Sequence, residues 1–214
     1  MKKDDKNNKE DNKIIFKIIT LGDTDVGKTS IIRRFIYNSF EDNMMSTTGI
    51  NYSLYELTLK NNKKVSLKII DTAGQEKYKG LTKGYFQNAD GALFVFAVNN
   101  EDSFENIKSW MEIFENSNCS LLNFPKILVG NKNDLESEVD EKNIEEFLES
   151  NPTFIYKSTS AKKDADNNIK KLFQELGEKI YENYIKNEKK KSKTIKLMDG
   201  NKQKKKNCLL NCIL

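Results

Sequence analysis

The chain has 214 residues, 37% apolar and 32% charged, which suffices for one well-buried domain with tails and hardly for two. No stretch approaches the ~18–20 apolar residues of a membrane-spanning helix, and the opening "MKKDDKNNKEDNK" has no apolar run of signal-peptide type behind it, which argues against secretion. The net charge of +4 is uneven: residues 186–214 carry ten Lys against Glu188 and Asp199, a balance of +8, so the body is left at about −4. A basic terminal arm suits an anionic membrane surface at least as well as nucleic acid.

Residues 14–21 read as a strand and 28–38 as a helix with Ile31, Ile32, Phe35 and Ile36 on one face. Between them "LGDTDVGKTS" (21–30) fits the spacing G-x-x-x-x-G-K-[ST]. Gly22 and Gly27 let the backbone curl so that successive N–H groups point at phosphate oxygens, and the helix start adds partial positive charge. The expected phosphate-binding stretch is Gly22, Asp23, Thr24, Asp25, Val26, Gly27, Lys28, Thr29 and Ser30. In it Lys28 supplies a full charge to the β- and γ-phosphates, and the Thr29 hydroxyl is suited to Mg²⁺.

Residues 51–59 and 64–70 are two strands around Asn61 and Asn62, a hairpin signal. "IIDTAGQE" (69–76) then ends a strand with Asp71, expected to hold Mg²⁺ through water. Gly74 brings an amide to the γ-phosphate, and Gln75 is suited to orient an attacking water. "GALFVFAV" (91–98) reads as a strand covered on both faces, followed by a helix at 103–116 capped by Asp102 or Ser103. Cys119 reads as a buried small apolar residue.

"KILVG" (126–130) is another buried strand and leads into "VGNKNDL" (129–135). A carboxylate at Asp134 accepts from both the N1–H and the 2-amino group of guanine, whereas adenine would leave it unpaired. Asn131 is expected to fix the loop and contact the base, with the Lys132 stem over the ring. After a helix at 140–149 and a strand at 153–157, "TSAK" (159–162) offers the Ala161 amide to guanine O6, flanked by Ser160 and Lys162. A last helix spans 166–186. Each motif falls beyond the carboxyl end of a strand, where open α/β sheets bind ligands.

Together these motifs resemble the Ras-like small GTPases over residues 14–186. The resemblance implies an α/β fold: a single P-loop NTPase domain, a six-stranded mostly parallel sheet with one antiparallel edge strand, and five helices. It places Thr47 of "STTGINY" (46–52) at the Mg²⁺ and γ-phosphate, and Phe40 edge-on to the guanine. Catalysis would rest on Gln75, Lys28 and Thr47, with Thr29, Thr47 and Asp71 around the metal. Arg33 and Arg34, the only arginines, lie on the first helix past the phosphate loop, so an activating partner is expected to complete the site.

Within the superfamily the chain looks most similar to Rab proteins, as a divergent member. Ile70 replaces a Trp, "KYKG" (77–80) an Arg-Phe-Arg-Thr-like string, and "FVFAVNN" lacks a Tyr-Asp pair. Thr24 beside the γ-phosphate and Met44 in place of a Tyr are expected to slow or loosen intrinsic turnover. The resemblance implies GTP and GDP as ligands, Mg²⁺ as cofactor, slow GTP hydrolysis, and a role in vesicle and membrane trafficking. It implies exchange factors, GTPase-activating proteins, a GDP-dissociation inhibitor or escort, and effectors as partners of a monomer that binds no nucleic acid. The alternative is a GTP-binding scaffold that hardly cycles.

The expected organisation is a flexible arm at 1–13, the domain at 14–186, and a disordered basic tail at 187–214. In "KKKNCLLNCIL", Cys208 and Cys212 lie beside a lysine cluster. One prenyl chain anchors marginally, so two lipids or a polybasic patch are needed. Prenylation of Cys208, Cys212 or both would hold the chain at the cytoplasmic face of an endomembrane, cycling with the cytosol.

Overall fold

The computed structural model describes residues 13–42, 47, 49–72, 86–117 and 124–210, with side chains described up to residue 190. Gly74, Gln75, Met44, Cys119 and Cys212 lie outside the described residues, as do "KYKG" and the arm at 1–12. Cys208 is placed by its backbone only.

Six strands form one sheet in the order β2-β3-β1-β4-β5-β6. They are β1 (Ile15–Leu21), β2 (Ile50–Thr58), β3 (Lys64–Thr72), β4 (Gly91–Ala97), β5 (Lys126–Asn131) and β6 (Phe154–Ser158). All pairings are parallel except β2 with β3, the edge hairpin read from the sequence, in which Thr58 faces Lys64. Its turn holds Asn62 at φ 62°, a left-handed conformation that asparagine tolerates better than most residues.

Five helical segments accompany the sheet among the described residues: α1 (Lys28–Tyr37), α2 (Glu101–Glu105), α3 (Ile107–Glu115), α4 (Glu141–Ser150) and α5 (Asn168–Leu210). Where the sequence shows one helix at 103–116, α2 and α3 form a nearly continuous rod through Asn106, whose backbone stays helical at φ −67° and ψ −11°. Its cap is Asn100, whose side chain accepts from Ser103 N at 2.9 Å, and not Asp102 or Ser103. The reason is register: helical hydrogen bonding starts at Glu101, so only Asn100 stands where a side-chain oxygen reaches a first-turn amide.

The expected end of the last helix at 186 is also corrected, because α5 runs on to Leu210. From 187 to 199 there is neither Gly nor Pro, and six Lys favour helical backbone. Packing ends earlier: Ile180 is buried, Ile185 half-buried, and residues 186–190 are exposed.

Strand alternation sends side chains to two cores, one on each face of the sheet. Ile18, Leu67, Ile69, Val95 and Val129 meet α1 and α5 through Ile31, Phe35, Leu172 and Phe173. Ile19, Ile70, Phe94, Phe96 and Leu128 meet α3 and α4 through Trp110, Phe114, Ile144 and Phe147. Phe35 stacks on Phe173 with ring centroids 4.0 Å apart, which seats the helix after the phosphate loop against the last helix.

Candidate functional site

The loop after β1 closes through its two glycines. Gly22 has φ 143° and Gly27 φ 91°. An added Cβ would overlap the Val95 carbonyl oxygen at Gly22 and Asn131 Nδ2 at Gly27, so neither position admits a side chain. Val26, 1% exposed, anchors the loop in the core, whereas Thr24 and Asp25 face solvent. Asp25 also holds a left-handed backbone at φ 62°. Gly27 starts α1 with no side-chain cap, which suits an anion there. Ser30 is half-buried in the first turn.

Lys28 is buried, and Nζ donates to the main-chain oxygens of Gly22 at 2.9 Å and Asp23 at 2.6 Å. Burial lowers its amine from 10.5 to about 8, opposed by the charges of Asp71, Asp23 and Asp25. The ammonium is thus held across the mouth of the loop with fewer solvent partners than its charge demands.

Beside it lies a cluster of oxygens. Thr29 Oγ1 donates to Asp71 Oδ2 at 2.8 Å and sits 2.7 Å from Thr47 Oγ1. Asp71 is 6% exposed, and its Oδ1 is buried without a hydrogen-bond partner. Burial raises its carboxyl above the usual carboxylate range, against the Thr29 hydrogen bond and the Lys28 charge. Two hydroxyls and an orphaned carboxylate oxygen fit a hard cation such as Mg²⁺, which takes few protein ligands and completes its shell with phosphate oxygens and water. Among the described residues no group of three His, Cys, Asp or Glu side chains could cage a metal alone.

At the end of β5, Asn131 is 1% exposed and joins two loops. Its Nδ2 donates to Val26 O at 2.9 Å, and its Oδ1 accepts from Thr159 Oγ1 at 3.3 Å and from the Ala161 amide at 3.2 Å. The Ala161 amide expected at guanine O6 is therefore already turned into the site and engaged. Ser160 Oγ donates to Asp134 Oδ1 at 2.6 Å and accepts from Lys163 N at 2.8 Å, fixing the carboxylate with a neutral donor. Lys132, at φ 63°, pairs with Asp25 at 3.5 Å. Phe40 packs half-buried on the core below Lys162, whose Nζ is 5.8 Å from the ring centroid. The structure thus brings Phe40, Asn131, Lys132, Asp134, Ser160, Ala161 and Lys162 to one end of the site and Lys28, Thr29, Thr47 and Asp71 to the other.

Three further residues hold this frame and are not evident in the motifs. Arg34 Nε donates to Ala161 O at 2.8 Å and its Nη2 to Lys162 O at 3.1 Å, clamping the "TSAK" turn to α1. Asn106 and Trp110 both reach the Asp23 carboxylate. The available signal was rarity: Arg34 is one of two arginines and Trp110 the only tryptophan.

The Ras family profile matches residues 17–182. The chain belongs to the Ras family. It is 39% identical over 137 residues to Ras-related protein Rab-1D of Dictyostelium discoideum, covering 63% of this chain and 66% of that protein. It is 39% identical over 125 residues to canine Ras-related protein Rab-13, covering 58% and 60%. With human Ras-related protein Rab-30 it shares 35% over 170 residues, 78% of this chain and 80% of the relative. The alignments to Rab-1D and Rab-13 thus span somewhat less than two thirds of those relatives, and that to Rab-30 four fifths. This is a divergent, Rab-like member of the Ras superfamily.

Proposed function

We propose that this Ras-family chain is a Rab-type molecular switch that binds GTP and GDP and hydrolyses GTP slowly with Mg²⁺. The observation that carries the reading is the cluster of Lys28, Thr29, Thr47 and the orphaned Asp71 oxygen at the mouth of the glycine loop. A cation bound there supplies charge neutralisation between the phosphates. Lys28 turns its ammonium from the Gly22 and Asp23 carbonyls to the β- and γ-phosphates. Thr29 and Thr47 orient their hydroxyls, and Asp71 holds them through its Oδ2. At the other end Asp134, with one oxygen satisfied by Ser160, keeps its remaining acceptor capacity for the guanine N1–H and 2-amino donors, and so discriminates against adenine. Gln75 orients the attacking water, and Gly74 and Thr47 sense the γ-phosphate, so hydrolysis relaxes the segments around 40–50 and 73–85.

The domain is 14–186 and the basic segment 187–214 is its membrane-directed arm. Prenylation of Cys208, Cys212 or both, aided by lysines worth up to ~1 kcal/mol each near an anionic leaflet, holds the chain on the cytoplasmic face of an endomembrane. There it acts as a monomer in vesicle traffic, with exchange factors, activating proteins, an escort and effectors setting the cycle.

The test is single-turnover hydrolysis of γ-labelled GTP with Mg²⁺, using wild type and Gln75→Leu, with ATP as control. Slow GTP turnover that drops in the variant, with no ATP binding, is expected. Tight GTP binding without turnover in either protein would favour a non-cycling scaffold.

A further inference from the structure

Two carboxylates, Asp23 and Asp25, stand in a loop read as binding an anion, so each needs a restraint that keeps its charge away from the phosphates. For Asp25 the restraint is the ion pair with Lys132 on the solvent side. For Asp23 it comes from the far side of the domain. Trp110 Nε1 donates to Asp23 Oδ1 and Asn106 Nδ2 to Asp23 Oδ2, both at 2.8 Å. Trp110 is 2% exposed, and Asn106 lies one turn before it at the junction of α2 and α3. The bond from Trp110 N to Asn106 O, 3.1 Å, keeps that turn intact, so the two donors present as a unit.

Both donors are neutral and together they occupy both carboxylate oxygens. Lys28 meanwhile takes the main-chain oxygens of Gly22 and Asp23. The Asp23 charge is nevertheless near enough to Lys28 to raise the affinity of that amine for its proton. A half-buried carboxylate that loses its donors seeks the nearest cation, and here that cation is Lys28.

We propose that Asn106 and Trp110 are positioning residues for the phosphate loop: they hold the Asp23 carboxylate against α3 and off Lys28, so the seating of that helix sets how tightly the nucleotide is held. The proposal rests on the nucleotide-switch reading above and adds a route by which the site is regulated. A partner that tilts the α2–α3 rod draws the donors from Asp23 and lets the carboxylate compete with phosphate for Lys28.

The test is release of a fluorescent GDP analogue from the full chain, chased with excess GDP, in wild type, Trp110→Phe, Asn106→Ala, Asp23→Asn and the double variant Asp23→Asn/Trp110→Phe. Trp110→Phe keeps a buried ring and loses only the donor, and half-buried Asn106→Ala tests the same point should the core fail to accept Phe. Each single donor variant is expected to release about ten- to hundred-fold faster, the range for losing a hydrogen bond to a charged group. In the Asp23→Asn background, with no carboxylate to compete, Trp110→Phe is expected to change release less than about threefold. A purely structural role for Trp110 would give the same acceleration in both backgrounds, and that result overturns the proposal. So does release at the wild-type rate in both donor variants while wild type binds the analogue. Wild type that takes up no guanine nucleotide overturns the switch reading itself, and the proposal with it.

Discussion

The buried ammonium of Lys28 makes the nucleotide-free protein's stability depend on pH in a predictable direction. In the unfolded chain this amine keeps its proton up to 10.5, and in the fold burial lowers that to about 8. Between those values the unfolded state binds more protons, so stability rises as pH rises. At ~1.4 kcal/mol for each tenfold step in proton affinity, the span corresponds to about 3 kcal/mol, present as a penalty at pH 7 and relieved by pH 10.5. In a domain of this size that is roughly 6–12 °C in melting temperature. Lys17 and Lys126 are also lowered by burial and add slopes of the same sign, so the informative quantity is wild type minus Lys28→Met. Urea unfolding of the nucleotide-stripped proteins from pH 7 to 10.5 measures it. The difference is expected to shift in favour of wild type across that range. With GDP bound, the phosphates hold the proton on Lys28, so affinity is flat below pH 8 and weakens above it. A pH-independent difference between wild type and Lys28→Met would refute the claim that the loop holds a desolvated ammonium.

Other perturbations test the frame around this amine. Gly27→Ala forces a Cβ onto Asn131 Nδ2 at a backbone of φ 91°, so about 2–4 kcal/mol of stability is expected to be lost, measured by urea unfolding. Asp25→Gly removes a left-handed non-glycine residue and a negative charge beside the phosphates, and is expected to raise the melting temperature by ~2–4 °C and slow GDP release a few-fold. Arg34→Lys keeps the charge but loses the fork that holds Ala161 O and Lys162 O, so GDP release measured by fluorescence chase is expected to accelerate roughly tenfold.

The fold was legible because its signals are local and redundant. "GALFVFAV" has no polar position, so it had to be a strand covered on both faces, and every residue of β4 is buried. Asn61 and Asn62 announced the hairpin because asparagine relieves a positive φ. The glycine loop was legible because its spacing reports a backbone shape, and Gly22 and Gly27 both hold that shape. What escaped was long-range or cooperative. Arg34 acts 127 residues away on Ala161, and Trp110 acts 87 residues away on Asp23, distances that no periodic pattern encodes. The cap at Asn100 was missed because Asp102 and Ser103 are equally good capping types, and only the register of the first helical bond chooses among them. The end of α5 was misjudged because burial stops near Ile185 while backbone propensity does not.

Asn131 explains why the two ends of the site must act together. One side of its amide donates to Val26 O in the phosphate loop, and the other accepts from Thr159 Oγ1 and the Ala161 amide in the base-side loop. With 1% exposure, no solvent is available to replace any of these partners. A shift of the base-side loop that breaks the bonds at Oδ1 lets the amide rotate, and rotation removes the support of Val26. That removal loosens the curl that points Gly27 and Lys28 at a phosphate. Base recognition and phosphate grip are then one cooperative unit, with Arg34 bracing one side and the Asn106–Trp110 pair the other. The rare residue types of this lysine-rich chain sit at those braces because the tasks require them: a planar fork for two adjacent carbonyls, and neutral N–H donors for a carboxylate beside a buried lysine.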